Sequence, residues 1–158
     1  MSVTSSLVIG AGQAGLSTAF HLDRLGIEHL VLDANAAAGG AWQHRWDALT
    51  MADVHRVADL PDQALPAAIG PERANEFVPS YFADYESRNT ITVLRPVEVD
   101  SVSDEAGLLR VRAVDGRSWL TRPLVNATGT WGRPFIPHYR GQETFTGRQL
   151  HTVDYPGP

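Results

Sequence analysis

Leu7-Val8-Ile9-Gly10-Ala11-Gly12-Gln13-Ala14-Gly15 runs from a short apolar stretch straight into three glycines at G-x-G-x-x-G spacing. Apolar residues then recur at 16, 19, 20, 22 and 25, the stripe of a helix from Ala14 to Leu25 that Gly26 stops. A second apolar run, within His29–Asp33, reads as a strand and ends on an acid 18 residues past Gly15. Strand, glycine turn, helix, strand and terminal acid in this order are the fingerprint of dinucleotide binding. Gly10 permits the tight turn, Gly12 lets a pyrophosphate approach the backbone, and Gly15 lets the helix sit close to the strand. Asp33 is placed to accept hydrogen bonds from adenosine ribose hydroxyls, and its charge repels a 2′-phosphate there. The helix start adds unpaired N–H groups and the positive end of its dipole. FAD and NAD both satisfy this pattern.

Working outward, residues 34 to 66 show no sustained period and read as a long structured loop with short helical pieces. Loops of that length in a compact domain are usually functional. Pro71 to Arg88 reads as a helix with Phe77, Tyr81, Phe82 and Tyr85 at three-to-four spacing, and Pro79 predicts a break into two pieces. Tyr81 and Tyr85 read as core. Ile91–Leu94 and Val97–Val102 are strand-like, and Leu108–Val114 and Trp119–Thr121 flank the turn pair Asp115-Gly116. Leu124–Ala127 is a buried strand leading into Thr128-Gly129, about 115 residues after the glycine turn. Small residues at that strand end let the backbone pass beside a flat ligand. The fold class is therefore α/β: a parallel nucleotide-binding sheet with helices, carrying a small antiparallel β-meander.

The 158 residues fit one domain able to bury about two thirds of its unfolded surface. A net charge of −5 gives no electrostatic reason to expect nucleic acid or an anionic membrane as partner. The sequence has no cysteine, which excludes a disulfide framework, a thiolate metal site and a redox dithiol within it. The six histidines show no metal-ligand spacing, so no metal is expected. His44 and His55 read as solvated loop residues, and Arg45 and Asp47 as a local ion pair. No apolar stretch approaches the ~20 residues that span a bilayer, and no charged leader precedes the first apolar run. A cytoplasmic protein is the expectation.

Gly10–Gly15, Asp33, Gly39-Gly40-Ala41-Trp42, Arg45-Trp46-Asp47 and Ala127-Thr128-Gly129 together resemble the FAD half of flavin-containing monooxygenases. The bacterial members related to the Baeyer–Villiger and plant YUCCA-type enzymes look closest. Phe145-Thr146-Gly147-Arg148-Gln149-Leu150-His151-Thr152-Val153-Asp154-Tyr155 fits F-x-G-x-x-x-H-x-x-x-Y, the identifying sequence of that family. The resemblance implies a Rossmann-like FAD-binding domain at 1–132. Residues 133–158 would be a linker carrying the signature (Phe145, Gly147, His151, Tyr155) toward an NADPH domain.

By the same resemblance, Gly10, Gly12, Gln13, Ala14 and Gly15 would line the FAD pyrophosphate and Asp33 the ribose. Ala41 and Trp42 would touch the flavin side, Val99 would meet adenine through its backbone, and Ala127, Thr128 and Gly129 would close over the pyrophosphate. Trp46 serves equally well as a loop anchor. His151 would relay the arrangement of the two nucleotide domains. The chemistry implied is oxygenation of a small organic substrate through a peroxyflavin formed after NADPH reduces the flavin. No residue of the chain is cast as catalytic acid or base.

A second glycine-rich fingerprint for NADPH does not occur in the sequence. The chain is therefore expected to be a truncated or incomplete two-dinucleotide flavoprotein, binding FAD weakly and self-associating through an apolar face. Two other readings stand beside it: a non-catalytic FAD-binding fragment, and an NAD-binding dehydrogenase. The absence of any lysine, which a short-chain dehydrogenase site needs, weighs against the last.

Overall fold

Alternating apolar residues on very short strands decide how the layers stack. The computed structural model describes residues 3–67 and 70–158. Its elements run β1 (Val3–Thr4), β2 (Leu7–Ile9), α1 (Gln13–Arg24), β3 (Leu30–Leu32), α2 (Ala74–Arg88), β4 (Val93–Leu94), β5 (Val99–Glu105), β6 (Leu108–Ala113), β7 (Ser118–Thr121) and β8 (Leu124–Asn126). A parallel sheet has the order β4-β3-β2-β8. Its register aligns Val8 with Val31 and Val125, and Ile9 with Leu32 and Asn126. Side chains alternate across a sheet, so Val8, Val31, Val93 and Val125 join one core cluster. Leu7, Ile9, Leu30, Leu32, Leu94 and Leu124 join another.

The first cluster is covered by the helices. Helix α1 presents Leu16, Ala19 and Phe20, and α2 presents Val78, Tyr81, Phe82 and Tyr85. The second is covered by the meander, through Val97, Val111, Ala113 and Trp119. Strands β5, β6 and β7 pair antiparallel and β1 joins β7 in parallel, giving a second four-stranded sheet. The outcome is three layers, helices on parallel sheet on meander, with both faces of the central sheet buried. This is the Rossmann-like arrangement, and it leaves the carboxyl ends of β2 and β8 at the point where the strand order reverses.

Two details depart from the sequence reading. Helix α2 is continuous through Pro79 instead of breaking there. The ring removes one helical N–H, but it also forms the surface on which Gly39 lies, where a Cβ would sit 2.7 Å from the Pro79 Cβ. That contact between helix and loop offsets the lost bond. The Asp115-Gly116 turn is also wider than a two-residue hairpin. Val114 donates its N–H to Glu98 O at 2.9 Å, and Ala113 N–H closes the loop on Arg117 O at 2.9 Å.

Tyr81 and Tyr85 anchor the long loop from beneath. Tyr81 Oη accepts from Leu60 N–H (2.8 Å) and donates to Gln63 O (2.5 Å), while Tyr85 Oη donates to Pro61 O (3.0 Å). Burial pushes the Tyr85 phenol up to about 12, so it remains a donor at any physiological pH. Leu16 lies fully buried between α1 and the sheet. Leu16→Ala is expected to destabilise the chain by about 3 kcal/mol, read as a lowered urea midpoint with unchanged slope in tryptophan fluorescence.

Candidate functional site

The glycine turn fixes where α1 begins. A Cβ on Gly15 would stand 1.8 Å from Gly10 O, and one on Gly10 would stand 2.4 Å from Ala127 O. Backbone therefore lies on backbone at both places, and β2, α1 and the end of β8 meet without side chains between them. Gly12 is the opposite case: a Cβ there would meet nothing within 4 Å. It is the N-cap of α1, whose first turn has no side-chain cap and no acid. The leading N–H groups of α1 are thus unclaimed and face open space, the condition for anion binding at a helix start. Gln13 turns its side chain away, donating Nε2–H to Ala58 O at 2.9 Å.

That open space is a groove of about 560 Å³ reaching from Gly10, Gly12, Gln13 and Ala14 past Gly40, Ala41 and Trp42. Ala127, Thr128 and Gly129 form its other wall. A second hollow of about 330 Å³ shares Gly10, Asp33, Ala34, Asn35, Thr128, Gly129 and Gly132 with the first. It extends to Val97, Glu98, Val99 and Asp100. The two make one elongated crevice at the carboxyl edge of the parallel sheet, with the glycine turn at its middle, Val99 at one end and Trp42 at the other. All the residues expected at a cofactor line it except Gly15, which lies behind Gly10.

Asp33 borders both hollows yet is only 5% exposed. Its Oδ2 accepts from Ala11 N–H at 2.6 Å, and its Oδ1 accepts from Asn35 N–H (2.9 Å) and Asn35 Nδ2–H (3.0 Å). The carboxylate thereby also ties the glycine turn to the end of β3. Arg95 Nε lies 4.0 Å from Asp33 Oδ1, and Arg95 is held by two bonds to Glu86 at 2.8 and 2.7 Å.

At the Trp42 end, Arg45 is not paired with Asp47 as expected. Its guanidinium sits between two indoles, 5.4 Å from Trp42 and 4.9 Å from Trp131. Asp47 instead accepts from Asn75 Nδ2–H at 2.9 Å. A cation between two aromatic faces loses little hydration for the attraction it gains, and it holds the Gly40–His44 turn against the 129–132 loop. His44 also has partners: Nε2 lies 2.7 Å from Asn35 Oδ1, and the ring stacks on Trp131 at 6.1 Å. Asn35, Arg45 as a clamp, and Trp131 escaped the sequence reading because their partners lie on the far side of the Gly39-Gly40 turn or across the groove.

The signature residues gather elsewhere. Phe145 and His151 line a separate hollow of about 550 Å³ with Ile136, Tyr139 and Leu150. Gly147 lies on the Phe145 ring, where a Cβ would be 2.4 Å from it. His151 Nδ1 accepts from Val153 N–H at 3.2 Å. Tyr155 meets Trp46 edge-on at 4.9 Å, so the signature's last residue anchors the chain end to the loop beside the groove. Trp46 is accordingly a loop anchor. Among the described residues, no helix is long and apolar enough to cross a membrane and no cluster of His, Asp and Glu has metal-binding geometry.

The family model described as pyridine nucleotide-disulphide oxidoreductase matches residues 7–156. The chain is similar to the structure of a flavin-containing monooxygenase from Stenotrophomonas maltophilia, with TM-score 0.83 and 44% identity over 98% of this chain and 47% of that one. It is 28% identical to indole-3-pyruvate monooxygenase YUCCA1 of Oryza sativa, covering 97% of this chain and 38% of the relative. It is 26% identical to a CzcO-like oxidoreductase of Geobacillus kaustophilus, covering 99% of this chain and 44% of the relative. The chain thus spans under half the length of each.

The glycine turn separates folding from access to the groove. Gly15→Ala is expected to cost about 3 kcal/mol or more, because backbone must move. Gly12→Ala is expected to stay within about 1 kcal/mol of the parent. Urea unfolding of the two variants measures the contrast.

Proposed function

The chain belongs to the pyridine nucleotide-disulphide oxidoreductase family, and from that premise we propose that its groove holds FAD. It would do so as the flavin half of an NAD(P)H-using monooxygenase that oxygenates a small organic substrate. The carrying observation is the single elongated crevice with uncapped helix amides at its middle. The cavity beside Gly12, where a side chain would meet nothing, fits a diphosphate approaching the backbone. The likeness to a flavin-containing monooxygenase supports FAD over NAD.

In this reading the leading amides of α1 hold the diphosphate. The backbone at Val99 meets adenine, and Asp33 faces the ribose while keeping the glycine turn in place. Ala41 and Trp42 flank the flavin and limit water beside it, and Ala127, Thr128 and Gly129 close the opposite side. When bound, the flavin accepts hydride from a nicotinamide and activates oxygen. The residues of this chain orient and shield it, and none is assigned as acid or base. The sequence has no cysteine, so the dithiol chemistry in the family's name has no residue to run on here.

Residues 1–132 form the FAD-binding unit, and 133–158 lead from it toward the part of the protein that takes the nicotinamide. His151 stands at that junction. Phe135, Ile136, Tyr139 and Phe145 are exposed there, which supports a covering surface, either a nicotinamide domain or a second copy of the chain. We assign the protein to the cytoplasm.

Purified protein, or protein mixed with FAD and then freed of unbound FAD by gel filtration, is expected to be yellow with an absorbance band near ~450 nm, and Gly12→Ala treated in the same way is expected to lose the band while staying folded. Colourless protein that takes up NAD would contradict the FAD assignment. Anaerobic mixing of the flavin-loaded chain with NADPH is expected to leave the band largely intact over seconds. Rapid bleaching would show that the chain itself supports hydride transfer.

A further inference from the structure

The acceptor capacity of Asp33 is nearly used up by the chain itself. Its main chain is gripped from both sides by the segment leaving β4: Asp33 N–H donates to Leu94 O at 3.1 Å, and Val97 N–H donates to Asp33 O at 2.7 Å. The carboxylate offers about four acceptor sites. Asn35 takes both on Oδ1, and Ala11 N–H takes one on Oδ2. The site left over belongs to Oδ2, on a side chain that borders both hollows of the crevice.

Arg95 lies between Leu94 and Val97, and its guanidinium reaches Asp33 without lining either hollow. Nε stands 4.0 Å from Oδ1, near enough for its charge to act and too far for a hydrogen bond. Glu86 on α2 accounts for the gap. Its carboxylate accepts from Arg95 Nη1–H at 2.8 Å and Nη2–H at 2.7 Å, a bidentate pair of largely buried side chains. Fixed in that way, the guanidinium leaves Nε–H with no hydrogen-bond partner among the described residues. A guanidinium free of Glu86 would close on Asp33 and compete for its acceptor sites. Held by Glu86, it lends positive charge to a carboxylate only 5% exposed and occupies none of them. The unmade bond is a cost to folding, and it keeps Asp33 open to another donor.

We propose that Arg95 and Glu86 are positioning residues for the adenosine ribose of the bound dinucleotide. Arg95 supplies the charge beside Asp33, and Glu86 keeps the guanidinium donors away, so that the carboxylate accepts from a ribose hydroxyl. The proposal rests on the FAD reading above. Neither residue touches the dinucleotide; each acts through Asp33. Their effect is therefore confined to the ribose hydroxyls, and a ligand lacking those hydroxyls does not sense either residue.

Flavin fluorescence quenching on adding the chain gives dissociation constants for FAD and for its analogue whose adenosine lacks both ribose hydroxyls. The wild type is expected to bind FAD about tenfold more tightly than the analogue, the scale of one hydrogen bond to a charged group. Arg95→Met and Glu86→Gln are each expected to weaken FAD to the level of the analogue and to leave the analogue's own binding unchanged. Glu86→Gln keeps the shape of the side chain, so it decides the matter if Arg95→Met does not fold. In the wild type the ¹⁵Nε–H resonance of Arg95 is expected to move on adding FAD and to stay still on adding the analogue, which a mere tie between α2 and β4 would not produce. Discrimination retained by either folded variant, equal loss of both ligands, or a wild type that does not discriminate overturns the role of the pair alone. Absence of binding of either ligand to the wild type overturns that role together with the FAD reading.

Discussion

Everything in this molecule is arranged around the absence of a side chain at Gly15. The Gly10 carbonyl lies where a Cβ would be, at 1.8 Å, so α1 can start only because backbone rests on backbone. Any side chain there would lift the helix off β2 and β8, and the amides at its start would no longer point along the sheet's carboxyl edge. The neighbouring glycine contact, Gly10 against Ala127 O, brings β8 into the same corner. This one close approach sets the position of the helix dipole, the width of the crevice and the proximity of the Ala127–Gly129 wall.

Polar groups then hold the corner in register. Asp33 joins the glycine turn to the end of β3 through Ala11 N–H, and Asn35 passes the connection to His44. Trp131 and Arg45 carry it onward to Trp42. The result is a continuous line of contacts along one wall of the crevice, running from the glycine turn to the aromatic end. A carboxylate with three hydrogen bonds is costly to move, so this corner of the crevice is fixed by the chain itself.

The layers were legible in the sequence because a period of two on a strand and a stripe on a helix leave few alternatives. Leu7-Val8-Ile9 reads as a strand buried on both faces, and the glycine spacing after it announces a turn into a helix. Residues that meet across turns were harder. Pro79 signals a helix break by its local chemistry, and only the distant Gly39 explains why the helix continues. Arg45 stands two residues from Asp47, so a local ion pair is the natural expectation; the indole of Trp131, 86 positions later, takes it instead. His44 looked idle for the same reason. The groove residues that were foreseen carry a motif, whereas those that were missed are joined only by tertiary contact.

Contact between the uncapped amides of α1 and the diphosphate of a flavin dinucleotide is tested most directly by NMR. Backbone amide shifts of ¹⁵N-labelled protein would be recorded on addition of FAD. The largest changes are expected at Gly12, Gln13 and Ala14, with smaller ones at Val99, Thr128 and Gly129 and none along the outer residues of β5. Shifts confined to the hollow around Phe145 and His151, with the amides from Gly12 to Ala14 unmoved, would contradict it.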